Sequence, residues 1–158
     1  MDIDIPARDQ ILVRGLKSTD LDAMIAIDAA SVGRRRERFL AQKLEQAMTD
    51  TGIAMSLAAE IDGFVVGFVL ARVYYGEFGV LEPAAVLDVI GVRPEFRGRH
   101  VAAALIDQLR TNLLGLGIPR LQTEVQWDSQ ELLAFFHREG FVLAQRICLD
   151  LDLEQTRT

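Results

Sequence analysis

Asp62-Gly63 stands between two runs of β-forming residues, Met55 to Ile61 and Phe64 to Val73. A dipeptide that accepts positive φ easily joins antiparallel strands with the twist they require, so this stretch predicts a tight hairpin. A hairpin rich in Val, Phe, Leu and Ile cannot stand alone in water. The remaining chain must extend the sheet and supply layers that cover it.

The flanking segments have the periodicities such a structure needs. Ile11, Leu12 and Val13 form a short β-prone run, followed by Ser18, Thr19 and Asp20 as capping residues before Leu21, Met24, Ile25 and Ile27, a strand leading into a helix. Residues 33 to 49 place Phe39, Leu40, Leu44, Ala47 and Met48 at helical spacing, predicting a second, amphipathic helix. Ala84 to Val92 reads as a strand ended by Pro94. From His100 onward, Val101, Leu105, Leu109 and Leu113 recur every fourth position and predict a helix stopped by Gly115, Gly117 and Pro119. Leu121, Thr123, Val125 and Trp127 then alternate with Gln122, Glu124 and Gln126 as a strand with one polar face. Asp128 and Glu131 have capping-box spacing before a short helix that Gly140 closes, and Phe141 to Leu153 returns as a strand. No repeat, low-complexity tract or linker interrupts this order. The expectation is one mixed α/β (α+β) domain over residues 1–158 with a frayed tail at EQTRT.

Composition narrows the function classes. With 17 basic and 23 acidic residues, net charge -6, the chain has no bulk field attracting nucleic acid or an anionic membrane. The single cysteine, Cys148, excludes an intramolecular disulfide framework, and no His or Cys spacing suggests a metal site. The acidic start MDIDIPARDQ lacks the pattern of a signal peptide, and the longest apolar run, Phe64 to Val73, is broken by Gly67 and Arg72. These features predict a soluble, cytoplasmic protein with neither nucleic acid nor membrane as partner.

The chemistry concentrates in VLDVIGVRPEFRGRHVAAALIDQL, where Arg97, Gly98, Arg99, His100, Val101 and Ala102 lie between an apolar strand and the first turn of a helix. The first N–H groups of a helix have no internal partner and sit at the positive end of its dipole, which suits them to phosphate or pyrophosphate. Gly98 and Ala102 permit close approach; Arg97 and Arg99 add charge. These residues resemble the signature of the GNAT superfamily of N-acetyltransferases, V-x-P-x-x-R-G-x-G-x-G/A, through Val92, Pro94, Arg97, Gly98 and Ala102. LLAFFHREGF is similar to the family's pattern after its fifth strand, and the element order agrees over roughly the whole chain.

The resemblance implies a central, mostly antiparallel sheet of about six or seven strands, the fourth and fifth splayed apart, flanked by about four helices. It implies acetyl-CoA as co-substrate, with the pyrophosphate on the loop Arg97 to Ala102. Backbone groups near Ile90, Gly91 and Val92 would meet the thioester carbonyl and pantetheine amides, and Phe136 would stand beside the departing sulfur. A homodimer is a further possibility, since family members often pair sheet edges or terminal strands.

Two positions depart from the family pattern. His100 replaces the loop's second glycine, either crowding the loop or adding a phosphate donor, and as a non-glycine residue it is not expected to rely on positive φ. Phe136 replaces the tyrosine commonly credited with protonating the thiolate, which removes the usual general acid.

Acylation of an amine needs a neutral nitrogen and a route for its proton, so carboxylates near the cleft are the catalytic candidates. Glu124 aligns with a fifth-strand glutamate that acts through water in some family members; strand alternation with Gln122 and Gln126 explains it equally well. Asp88 is the only charged residue from Val86 to Val92 and demands a partner, either a substrate amine or a structural arginine. Tyr74 and Tyr75 end the third strand, where packing or replacement of the missing acid are the two readings. Arg34, Arg35, Arg36 and Arg38 read as a solvated helix face partnered by Glu37, and Trp127, His137 and Cys148 as packing residues. The resulting reading is direct attack of a primary amine on acyl-CoA, without a covalent enzyme intermediate. Its rival is a coenzyme-binding regulatory module without turnover.

Overall fold

A computed structural model of the chain describes residues 10–49, 55–75 and 79–155. Most of the opening MDIDIPARDQ and the last three residues of the predicted tail lie outside these. By internal contacts the chain forms two compact units, residues 1–124 and 125–158.

The first unit holds a five-stranded sheet in the order β1 (Leu12–Gly15), β2 (Leu57–Ile61), β3 (Phe64–Tyr74), β4 (Ala84–Val92), β5 (Leu121–Thr123). The first four strands are antiparallel neighbours; β5 joins β4 in parallel. The predicted hairpin forms, with Asp62 at φ 50° and Gly63 at φ 80°, the paired positive values that match strand twist.

Alternation along β3 sends neighbouring residues to opposite faces. Phe68 and Leu70 enter a core with Met24, Ile27, Leu40 and Leu44 from α1 (Leu21–Val32) and α2 (Glu37–Thr49). Gly67, one position from Phe68, meets α3 (Val101–Gly115), whose Val101, Leu105 and Leu109 are almost fully buried. Each such side chain contributes about 2 kcal/mol of burial. The sheet is thereby held between the α1–α2 pair and α3.

The predicted helix over 33 to 49 is shorter. Gly33 closes α1 in the left-handed conformation, φ 84°, and α2 starts at Glu37. Between them, Arg36 donates to the buried Asp28 at 2.6 and 2.8 Å, and this bonding raises the pKa of the guanidinium. Arg36 is therefore no solvated face residue. The exposed pair of Arg35 and Glu37 at 2.7 Å does fit that reading. Asp20, expected as a helix cap, stands at the N-cap of α1 without a side-chain bond to that helix; its carboxylate receives Arg14 at 2.8 and 2.9 Å and, as a capping box on the preceding turn, the Lys17 N–H at 2.7 Å.

In the second unit, α4 (Gln130–Arg138) follows Ser129, with no side-chain cap bond, so the expected Asp128–Glu131 capping box does not form. Gly140 does close the helix with φ 97°. The strand predicted over Phe141 to Leu153 is absent, as is the extension of β5 to Trp127. Both segments have suitable alternation, but a strand also needs a ladder partner, and among the described residues they have none. The sheet therefore counts five strands, below the six or seven expected. Trp127 and Cys148 are exposed and on no strand face.

Candidate functional site

The parallel ladder between β4 and β5 covers only Ala85 to Leu87 against Leu121 to Thr123, reinforced by the Thr123 hydroxyl on Leu87 O at 2.9 Å. Beyond Leu87, β4 continues to Val92 with β3 as its one ladder partner among the described residues. One edge of Asp88 to Val92 is thus open. Arg93 N–H bonds Val66 O at 2.8 Å on the β3 side. By antiparallel alternation, Gly91 also turns its backbone toward β3, while Ile90 and Val92 present theirs to the open edge.

The register between β3 and β4 shifts here. Leu70 pairs with Val89 and Ala71 with Leu87, so Asp88 is the extra residue of a β-bulge. Its side chain enters the wall of a cavity of about 180 Å³ between α2, β3 and β4, lined also by Lys43, Gln46, Ser56 and Arg72. Asp88 Oδ2 stands 3.5 Å from Arg72 Nε and 3.6 Å from Lys43 Nζ. The arginine anticipated from sequence is present; Lys43 was not anticipated. Arg72 had one legible signal, as the lone charge in the apolar β3 run, whereas Lys43 looks like any polar helix residue.

After β4, a turn of 3-10 helix at Pro94–Phe96 leads to Arg97 and then to two left-handed residues, Gly98 at φ 76° and His100 at φ 66°. His100 therefore adopts the positive φ that its side chain was expected to preclude, at a cost of about 1–2 kcal/mol. Those two reversals aim the chain into α3. The first bond of that helix runs from Ala104 N–H to His100 O at 2.9 Å, so the amides of Val101, Ala102 and Ala103 precede the ladder at the positive end of the dipole. A Cβ on Gly98 would meet nothing within 4 Å. Arg97 bonds Ser31 Oγ at 2.7 Å, and the Arg99 guanidinium lies over the Phe96 ring at 5.4 Å.

The remaining candidates are more dispersed. Glu124 follows β5 directly and is exposed, outside the residues lining the Asp88 cavity. Tyr74 is buried and its hydroxyl donates to Gln122 Oε1 across the sheet, while Tyr75 is exposed. Phe136 is buried on α4, its ring 5.2 Å from Phe135 and 4.9 Å from Phe141. No group of three or more His, Cys, Asp or Glu suited to a metal ion occurs among the described residues, and no helix there is long and apolar enough to cross a membrane.

Residues 23–141 match the model of the acetyltransferase (GNAT) family. Among solved structures, an aminoglycoside N-acetyltransferase, AAC(6')-Iy in complex with CoA, superposes with a TM-score of 0.75 at 20% identity, covering 90% of this chain and 95% of that one. A ribosomal-protein-alanine N-acetyltransferase from Brucella melitensis gives 0.70 at 22% identity, covering 90% and 98%. A transcriptional regulator from Bacillus halodurans gives 0.75 at 15% identity, covering 90% and 99%. At these identities the likeness is one of fold, and the three names describe three different roles.

Proposed function

This chain belongs to the acetyltransferase (GNAT) family, and from that premise we propose that it transfers an acetyl or other acyl group from acyl-CoA to a primary amine. The observation that carries the reading is the pair of left-handed residues, Gly98 and His100, immediately before α3. They open the amides of Val101, Ala102 and Ala103 to a pyrophosphate, with Arg97 and Arg99 beside them. The CoA complex among the related folds supports the same co-substrate. On this reading the two units work as one domain over residues 1–158, in the cytoplasm.

The open edge of β4 supplies the second half of the site. Ile90 and Val92 offer backbone groups to the pantetheine amides and the thioester carbonyl, polarising it for attack. The amine nitrogen forms the new C–N bond as the C–S bond breaks, and the coenzyme leaves as a thiolate. Asp88 or Glu124, directly or through water, takes the proton from nitrogen. Phe136 has no proton to give to sulfur, so the thiolate leaves unassisted or takes one from water or another side chain.

Phe136 also sustains the second reading, a coenzyme-binding module without turnover, because a phenyl ring cannot act as an acid. Thiol release with a panel of amines separates the two when repeated on Asp88→Asn and Glu124→Gln. An enzyme loses turnover strongly in at least one variant while still binding acetyl-CoA; a binding module releases no thiol with any amine.

A further inference from the structure

Ion pairs among the described residues differ in how tightly they close. Arg14–Asp20, Arg14–Glu60, Arg35–Glu37 and Arg36–Asp28 close at 2.6 to 2.8 Å, the span of charge-assisted hydrogen bonds. Asp88 differs. Its Oδ2 faces both Arg72 at 3.5 Å and Lys43 at 3.6 Å and closes on neither. All three groups line the same cavity, with side-chain exposures of 19% for Asp88, 27% for Lys43 and 45% for Arg72.

A carboxylate left short of its two cations is not a finished structural bridge. The bulge that sets Asp88 into the wall also disrupts the β3–β4 ladder, a local cost that folds tend to retain beside working sites. Among the described residues, two positive charges against one negative leave this wall net positive in a chain whose net charge is -6. A purely cationic acceptor, such as a polyamine, would be repelled by Lys43 and Arg72 on reaching Asp88. An amine that brings its own carboxylate meets all three groups with the correct sign: nitrogen toward Asp88, carboxylate toward Arg72 and Lys43. Ser56 is already engaged with the Ala71 backbone, at 3.2 and 3.4 Å, and the charges in the described lining are those of Lys43, Arg72 and Asp88.

We propose that the cavity formed by Lys43, Arg72 and Asp88 is the acceptor pocket and that it selects amines carrying a carboxylate: amino acids or peptides with an acidic N-terminal residue. This specificity rests on the acyl-transfer reading, but the pocket can be tested apart from it. The probes are L-glutamate, L-aspartate and the dipeptide Glu-Ala, each compared with its methyl ester.

Calorimetric titration of each probe into the full chain, without coenzyme, tests the pocket alone. At least one free acid should bind, with its ester about tenfold weaker, and Arg72→Gln and Lys43→Gln should each erase most of that difference. No binding of any acid, or equal binding of acid and ester, overturns the proposal whatever acetyl-CoA does. Thiol release with acetyl-CoA adds the second arm. The acid-over-ester ratio in kcat/KM should fall toward one in Arg72→Gln, whereas preference for spermidine over every acid overturns the proposed selectivity. Acids that bind with the expected discrimination but are never acetylated, when no other amine releases thiol either, would leave the pocket standing and remove the acyl-transfer reading.

Discussion

Gly67 on β3 lies directly beneath Val101, the first residue of α3: a Cβ at position 67 would fall 2.8 Å from Val101 Cγ1 and 3.1 Å from Gly91 O. The absence of one methyl group thus lets the helix start seat against the sheet. The same contact positions the amides of the Arg97 to Ala102 loop. Gly91 plays the matching part on the other face, where a Cβ would stand 2.9 Å from Ile27 Cγ2 of α1.

Gly67→Ala should therefore destabilise the fold by about 1–3 kcal/mol, the usual cost of forcing a methyl into a packed interface. Chemical denaturation followed by circular dichroism measures it. Because backbone oxygen lies within reach as well as a side chain, rotation of Val101 cannot relieve the clash alone. An unchanged midpoint would mean that α3 does not seat where described.

His100→Gly should stabilise the protein. The left-handed backbone at φ 66° costs a non-glycine residue about 1–2 kcal/mol, of which the greater freedom of glycine in the unfolded chain takes back part. A gain of about 0.5–1 kcal/mol in thermal or chemical unfolding is expected. A loss would show that the imidazole makes a contact worth more than the strain.

The order of elements as far as α4, the Asp62-Gly63 hairpin, the start of α3 and the loop were all legible because each depends on local chemistry: turn residues, apolar periodicity and a glycine at a reversal. The bulge at Asp88 was not, since a register shift is decided by the partner strand and leaves no mark on β4 itself. His100 was misjudged for a related reason. Packing of α3 and the preceding turn hold it left-handed against its own preference. The strand expected over Phe141 to Leu153 fails because alternation records which residues share a face and says nothing about whether a neighbour is present to complete the ladder. At the pocket, Arg72 was visible as a lone charge among apolar residues, while Lys43 acquires meaning only through its distance to Asp88.

Acid sensitivity should run partly through Asp20. The hydrogen bonds from Arg14 hold its carboxyl below the ordinary value of 3.8. The ionised form is favoured in the folded state, so this contribution is fully present above the unfolded pKa and is lost as pH falls through the lower, folded one. Asp20→Asn should cost about 2 kcal/mol near neutral pH, and its difference from the wild type should narrow below about pH 3.8. Urea denaturation from pH 7 to pH 3 measures both. A difference that is constant across the range would contradict the assignment.

The central claim is that the loop before α3 binds the coenzyme, and isothermal titration of acetyl-CoA into the wild type and Gly98→Val tests it most directly. A Cβ at position 98 meets nothing within 4 Å, so the branched side chain of valine acts chiefly against the φ of 76° that aims the loop. The account predicts binding by the wild type and a loss of about tenfold or more in the variant with its secondary structure retained. A folded wild type that does not bind acetyl-CoA, or a variant that binds it equally well, would contradict the claim.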